Sequence, residues 1–532
     1  MRTWVYGIVL FLSLAGLAAP NCSSFIVTKG ASADGSVMIT YTCDGRFHPT
    51  LRIYPGARHE PGAVHLVKDR QGKVVARIPQ PPRTWHVVGL MNEHQLAIGE
   101  TTFGGREELQ KGEGVLHYWQ LMRLALARAR TAREAIAVMT GLAEKYGYIG
   151  PGETFSIADT EEAWIMEMVG VGPGRKGAAW VARCVPDGCV CGHANKARIG
   201  AFPRDDAENC LYSANVESLA VEKGWYDPAA GKPFRFCDAY GPADLANLRG
   251  SAGRVWSMLR RCAPGLGLKA DYFRGVKGAE PYPLWVKAER KLAWADVAAI
   301  MRDHYEGTPF DMTKGLAAGP FGAPDRCRPL RWEVDGKKGA WERPISTHHT
   351  GYSFISQSRG WLPDPVGGVY WYGLDNTYTT CYMPLYCCID RVPPSYARGS
   401  MSRYSRDSAW WSFNFVAAFA NVKYCWMIKD IQQVQRELEG HLAALQPAVD
   451  MTAMHLHEAK RTDLLRRYLT DYCVGQAEKV ARRWRELGDH LVTKYNDGYV
   501  QDERGRPREE GYPPAWLRRV LGSDHTKSFD DK

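Results

Sequence analysis

The sequence predicts a layered α+β fold on three observations: two β-rich blocks near the N-terminus, a helical stretch after them, and a return to alternating strands. The first block begins SSFIVTKG directly after Cys22, turns at Ala33-Asp34-Gly35 and returns as SVMITYT. Alternation and the Asp-Gly turn predict a β-hairpin with Cys22 at its open end. The second block, WHVVGLMNEHQLAIGETTFGG over 85–105, turns across Asn92 to Gln95 and predicts another hairpin.

Between 115 and 146, Leu116, Trp119, Leu121, Leu124 and Ala125 recur at helical spacing, and Thr131 and Glu134 then stand in capping-box positions, so two helices are predicted. ETFSIADTEEAWIMEMVG and AAWVARCVPDG read as further antiparallel strands. The middle, 201–344, is rich in Gly, Pro and Trp and offers a short helix over 293–305. Strand-like sequence over 347–384 and an aromatic helix over 408–420 follow. The tail from Ile431 to Leu491, with Leu438, Leu442, Leu445 and then Leu464, Leu465 and Tyr468, predicts a helical pair broken at Pro447. No repeat or low-complexity linker divides the chain, so residues 22–532 are predicted to form one extended unit.

With 532 residues, 45% hydrophobic and 24% charged, the chain can bury a large core. Its 68 basic and 58 acidic residues give +10 but are interspersed, and Arg504, Arg506 and Arg508 are broken by Gly505 and Pro507 and followed by Glu509 and Glu510. Nucleic acid is therefore not an expected partner. Arg2, the apolar stretch from Trp4 to Leu17, and the small residues Gly16, Ala18 and Ala19 predict a signal peptide. Residues 1–21 are expected to be removed, with a second cut between Asn21 and Cys22, leaving a secreted or periplasmic protein without stable membrane insertion. Ala19, Pro20 and Asn21 do not suit a lipid anchor on Cys22.

In an exported chain, fourteen cysteines permit disulfides, and Cys184/Cys189/Cys191 and Cys381/Cys387/Cys388 are the natural places for them. Cys189-x-Cys191 with His193 lacks the paired spacing of common zinc sites, so no metal and no cofactor are expected.

Cys22 reads either as half of a disulfide or as a nucleophile freed by processing. As the first residue it would hold an α-amine of pKa about 7.7–8.0 beside a thiol near about 8.5, so one residue supplies both base and nucleophile. Asp44, at the far end of the returning strand, is the carboxylate candidate to orient that amine; its other reading is a turn aspartate before Gly45. Attack on an amide needs donors for the forming oxyanion, and Asn92 and Asn195 are the side-chain candidates, each also at home in a turn. Arg359 can clamp a substrate carboxylate bidentately or serve as a scaffold ion-pair residue.

NCSSFIVTKGASADGSVMITYTCD, MNEHQLAIGETTFGG, FSIADTEEAWIMEMVG, HANKARIG, RPISTHHTGYSFISQSRGWLPDPVGGVYW and KYNDGYVQDERGRPREEGYPPAWL together resemble the PepD-like dipeptidases, cysteine-type N-terminal-nucleophile hydrolases. The resemblance implies a four-layer αββα sandwich with additional C-terminal helices, and hydrolysis of dipeptides or short peptides with a free amino end. By the same resemblance Cys22 is the nucleophile, Asp44 the aspartate that follows it, Asn195 the oxyanion donor and Asn92 a second polar pocket position. Members of that family often carry Arg three residues before the aspartate. Tyr41 stands there in this chain, with Arg46 or Arg359 as candidates to replace it.

An acylase of the penicillin-acylase or bile-salt-hydrolase type would use the same N-terminal cysteine on other amides. A non-catalytic exported binding protein, its Trp and Tyr lining a ligand surface and Cys22 oxidised, is the reading from a different class. A homo-oligomer is compatible with either.

Overall fold

The computed structural model describes residues 22–69, 71–244 and 248–523. The signal peptide and leader expected over 1–21 lie outside the described residues.

Two antiparallel sheets organise the molecule. The first runs, edge to edge, through Trp285–Lys287, Cys189–His193, Ser24–Val27, Val37–Asp44, Thr350–Ser358, Gly368–Leu374 and Met383–Tyr386. The second runs through Cys210–Tyr212, Ala179–Cys184, Ala163–Val169, Gly152–Ala158, Ala97–Gly104, Met91–Asn92, Val87–Val88 and Ile53–Tyr54. Ser24–Val27 and Val37–Asp44 lie against Ala97–Gly104 and Gly152–Ala158, so the sheets face each other across the interior. Ser24–Val27 is buried at every residue, as a strand covered on both faces must be.

Tyr118–Arg128 and Ala132–Tyr146 are the two helices predicted over 115–146, and they pack on the second sheet. Thr131 accepts from Glu134 N and caps the second of them. Leu121, Ile136 and Met139 pack there with Ile98, Phe155 and Trp164, in a core separate from the one between the sheets. Gly253–Cys262, Trp294–Met301, Ala409–Ala420, Tyr424–Glu458 and Thr462–Lys494 contact the first sheet. The result is a mixed α+β molecule. Its main core takes in residues from Cys22 to Val500.

Two sequence expectations are corrected. The helical tail does not break at Pro447: Tyr424–Glu458 runs through it, and the chain reverses at 459–461, where Lys460 has φ +54°. Buried Leu442, Val449 and Ala453 hold the helix on both sides of the proline, which outweighs the one lost backbone bond. The fourteen cysteines are all free thiols, those of the two groups marked for disulfides included. Among the described residues no helix is long and apolar enough to cross a membrane.

Candidate active site at Cys22

Cys22 enters the strand Ser24–Val27 at the open end of the first hairpin, which the sequence placed correctly. Ser23 faces Thr42: Thr42 N donates to Ser23 O at 2.9 Å, and Ser23 N donates to the Thr42 hydroxyl at 2.8 Å. The same register sets Cys22 opposite Cys43, and the two thiols lie within hydrogen-bonding reach.

Gly253–Cys262 delivers Arg254 to this point. Its Nη1 donates to Cys22 O at 2.6 Å and to Ser23 Oγ at 2.9 Å, and its Nη2 donates to Asn195 Oδ1 at 2.8 Å. Burial, together with the charge of Arg343, pulls the guanidinium down to about 9, so it remains a cation at neutral pH. Asn195 follows the strand Cys189–His193 in a left-handed conformation, φ +54°, which asparagine tolerates better than most residues. Its Nδ2 donates to Thr102 O at 2.6 Å. One buried arginine thus ties the Cys22 main chain to the Asn195 side chain.

Asp44 closes the strand Val37–Asp44. It is ion-paired with Arg343 and accepts from Thr350 Oγ1 at 2.7 Å. Burial pushes its carboxyl above the ordinary value against the pull of Arg343. Its charge bears on the Cys22 thiol.

On the thiol side stands a group the sequence did not reveal. Cys22 Sγ is 3.8 Å from the Tyr41 hydroxyl and 3.9 Å from Glu100 Oε1, and the Tyr41 hydroxyl donates to that same oxygen at 2.6 Å. Glu153 adjoins Glu100 and accepts from Thr102 Oγ1 at 2.7 Å. Burial lifts Glu100 to about 7 and, with the charge of Glu100, lifts Glu153 well above the carboxylate range. Burial, the bond with Cys43 and the charge of Glu100 likewise push the Cys22 thiol well up.

Asn92 and Arg359 do different work. Asn92 Nδ2 donates to Leu126 O and Ala129 O, both at 2.8 Å, while its Oδ1 accepts from His94 N and Leu96 N. It ties the hairpin turn to a helix end. Arg359 forms a bidentate pair with Asp450 and also donates to Val366 O and Gly367 O, the scaffold arrangement. Arg254 and Arg343, rather than Arg46 or Arg359, are the arginines bonded to Cys22 and Asp44.

Beside the site, a cavity of about 350 Å³ is lined by Trp119, Arg123, Leu90, Tyr352, Tyr370 and Tyr372, among others. Tyr352 pairs with Cys43 across the strands, and its ring meets that of Tyr41 edge-on at 5.9 Å.

The pattern of peptidase family C69 matches residues 54–437, more than two thirds of the chain. The chain belongs to peptidase family C69. It is accordingly a peptide hydrolase, and a cysteine-type site fits the family. A probable dipeptidase of Salmonella dublin is 25% identical over 425 residues, covering 76% of this chain and 89% of the relative. Probable dipeptidase A of Streptococcus pyogenes serotype M18 is 22% identical over 494 residues, covering 89% and 97%. Dipeptidase A of Lactobacillus helveticus is 21% identical over 427 residues, covering 76% and 82%. Glu100, Asn195, Arg254 and Arg343 fall within the C69 match, whereas Cys22 and Asp44 precede it.

Arg254 had a local signal: Val255, Met258, Leu259 and Cys262 recur at helical spacing behind it. Glu100 had only its place in an otherwise apolar and hydroxylic strand, GETTF.

Proposed function

We propose that the protein is an exported dipeptidase of the N-terminal-nucleophile type, matured by cleavage before Cys22. The observation that carries this reading is the Arg254 clamp, which holds the Cys22 carbonyl and the Asn195 amide together at the end of a rigid, fully buried strand. Helices on the outer faces of two apposed sheets agree with the architecture of such hydrolases, and the dipeptidase names of the relatives favour short peptides.

Left within a chain, the Cys22 thiol is a poor nucleophile, because burial and neighbouring acids hold its proton. Cleavage before Cys22 changes this by placing an amine beside the sulfur. The amine takes the thiol proton, and the ammonium, oriented by Asp44, stabilises the thiolate. Sulfur attacks the peptide carbonyl while Asn195 donates to the oxyanion. The C–N bond breaks as the ammonium protonates the departing amine, and water then hydrolyses the thioester. The cavity of about 350 Å³ beside Tyr352 is of a size for one side of a dipeptide.

Correctly processed Cys22→Ala is expected to fold with wild-type circular dichroism and to lose dipeptide hydrolysis, and Cys22→Ser to retain a small residue of it. Full activity in Cys22→Ala would remove Cys22 as nucleophile.

A further inference from the structure

We propose that Glu100, supported by Glu153, is the group that recognises the free α-amino end of the substrate and so makes the enzyme select unblocked peptides. The inference rests on the dipeptidase reading above and assigns a residue to its specificity.

Three observations meet at this point. The first is position. Glu100 Oε1 lies 3.9 Å from the Cys22 sulfur. In any peptide the α-nitrogen is about 2.5 Å from the carbonyl carbon of its own residue, a distance set by bond lengths and the N–Cα–C angle. A thiolate poised for attack stands roughly 3–3.5 Å from that carbon, and an ammonium donates to a carboxylate at about 2.7–2.9 Å. These legs close around the observed separation of sulfur and carboxylate, so an amine on the attacked residue reaches Glu100.

The second is charge. Glu100 and Glu153 are both buried, and among the described residues neither is compensated by a lysine or arginine. Glu100 Oε2 and Glu153 Oε2 receive no hydrogen bond from any group outside the pair. A buried carboxylate lacking a counter-ion is costly to hold, and a cation that arrives with the substrate removes that cost. Asp44 differs in that Arg343 is already paired with it.

The third is preparation. Tyr41 donates to Glu100 at 2.6 Å, and Glu153, which keeps its proton, bonds the other side of the pair. Of the two, Glu100 ionises the more readily, lifted to about 7 where Glu153 is lifted well above the carboxylate range. Tyrosine at position 41 orients Glu100 without bringing a cation to it.

The test compares L-alanyl-L-alanine with its N-acetyl form on wild type and Glu100→Gln. Wild type is expected to prefer the free dipeptide. Glu100→Gln is expected to lose roughly 10- to 100-fold in kcat/KM on the free dipeptide, chiefly through KM, with a smaller loss on the acetylated substrate, so that the preference narrows. Activity on the acetylated form shows that the variant is folded. If Glu100→Gln does not fold, Glu100→Asp, which withdraws the charge by one methylene, is expected to weaken the preference without abolishing it. An undiminished preference in the variant that folds, equal loss on both substrates, or no preference in wild type would overturn the assignment while leaving the dipeptidase reading intact. Wild type that hydrolyses neither substrate would overturn both.

Discussion

Arg254 makes bonds that no neighbour in sequence could make: to the carbonyl of Cys22, to the hydroxyl of Ser23 and to the amide of Asn195. It remains cationic although wholly buried, so the main chain around Cys22 sits in a positive field while the thiol faces Glu100. If Asn195 donates to the oxyanion, Asn195→Ala should lower kcat by roughly 10²–10³ and leave KM nearly unchanged. Asn195→Asp should be at least as damaging, since a carboxylate repels the charge it would need to stabilise. Normal kcat with a lowered melting temperature would reduce Asn195 to a turn residue held by Thr102 and Arg254. Cys22 just before, Asp44 at the end of and Asn195 just after a recognisable strand were singled out from the sequence and its resemblance to the dipeptidases. Arg254, Arg343, Glu100 and Glu153 were not, although apolar spacing marks the helix that carries Arg254. Their roles come from contacts across 51 to 299 residues of chain, and local pattern carries no record of such contacts.

Individual elements were legible where hydrophobic period and punctuation agreed. The hairpins at 24–44 and 91–104 and the helix pair at 118–146 emerged from alternation, Asp-Gly or Asn turns and the Thr131 cap. Pro447 misled because a proline inside a helical pattern ordinarily ends it, whereas here buried residues on either side keep one helix of 35 residues. Pro447 is exposed, so its ring is not needed for packing. Replacing it should restore the bond to Ala443 O without opening a void. Pro447→Ala is therefore expected to raise unfolding free energy by roughly 1–3 kcal/mol, read as a shifted denaturant midpoint with unchanged slope. A destabilised variant would show instead that a bend at Pro447 is required to bring Asp450 onto Arg359.

At the scale of the whole molecule, sheet order was beyond reach of the sequence. Ser24–Val27 lies between Cys189–His193 and Val37–Asp44, and Val37–Asp44 pairs with Thr350–Ser358, so strands far apart in the chain form one sheet around the site. Between the sheets, Ser24, Ser156, His193 and Thr101 form a buried hydrogen-bonded chain with links of 2.7–2.8 Å. Burial and Arg198 hold His193 down to about 3, so it stays neutral and joins the sheets as a polar link rather than acting as a base. That leaves the chemistry to the end of the first hairpin, where the proposed processing would unmask Cys22. The most direct measurement is mass spectrometry of the active enzyme quenched in acid during turnover of a dipeptide, followed by peptide mapping. An aminoacyl thioester on a peptide whose first residue is Cys22 is the predicted result. An active chain that retains Asn21, or an adduct on any residue other than Cys22, would contradict it.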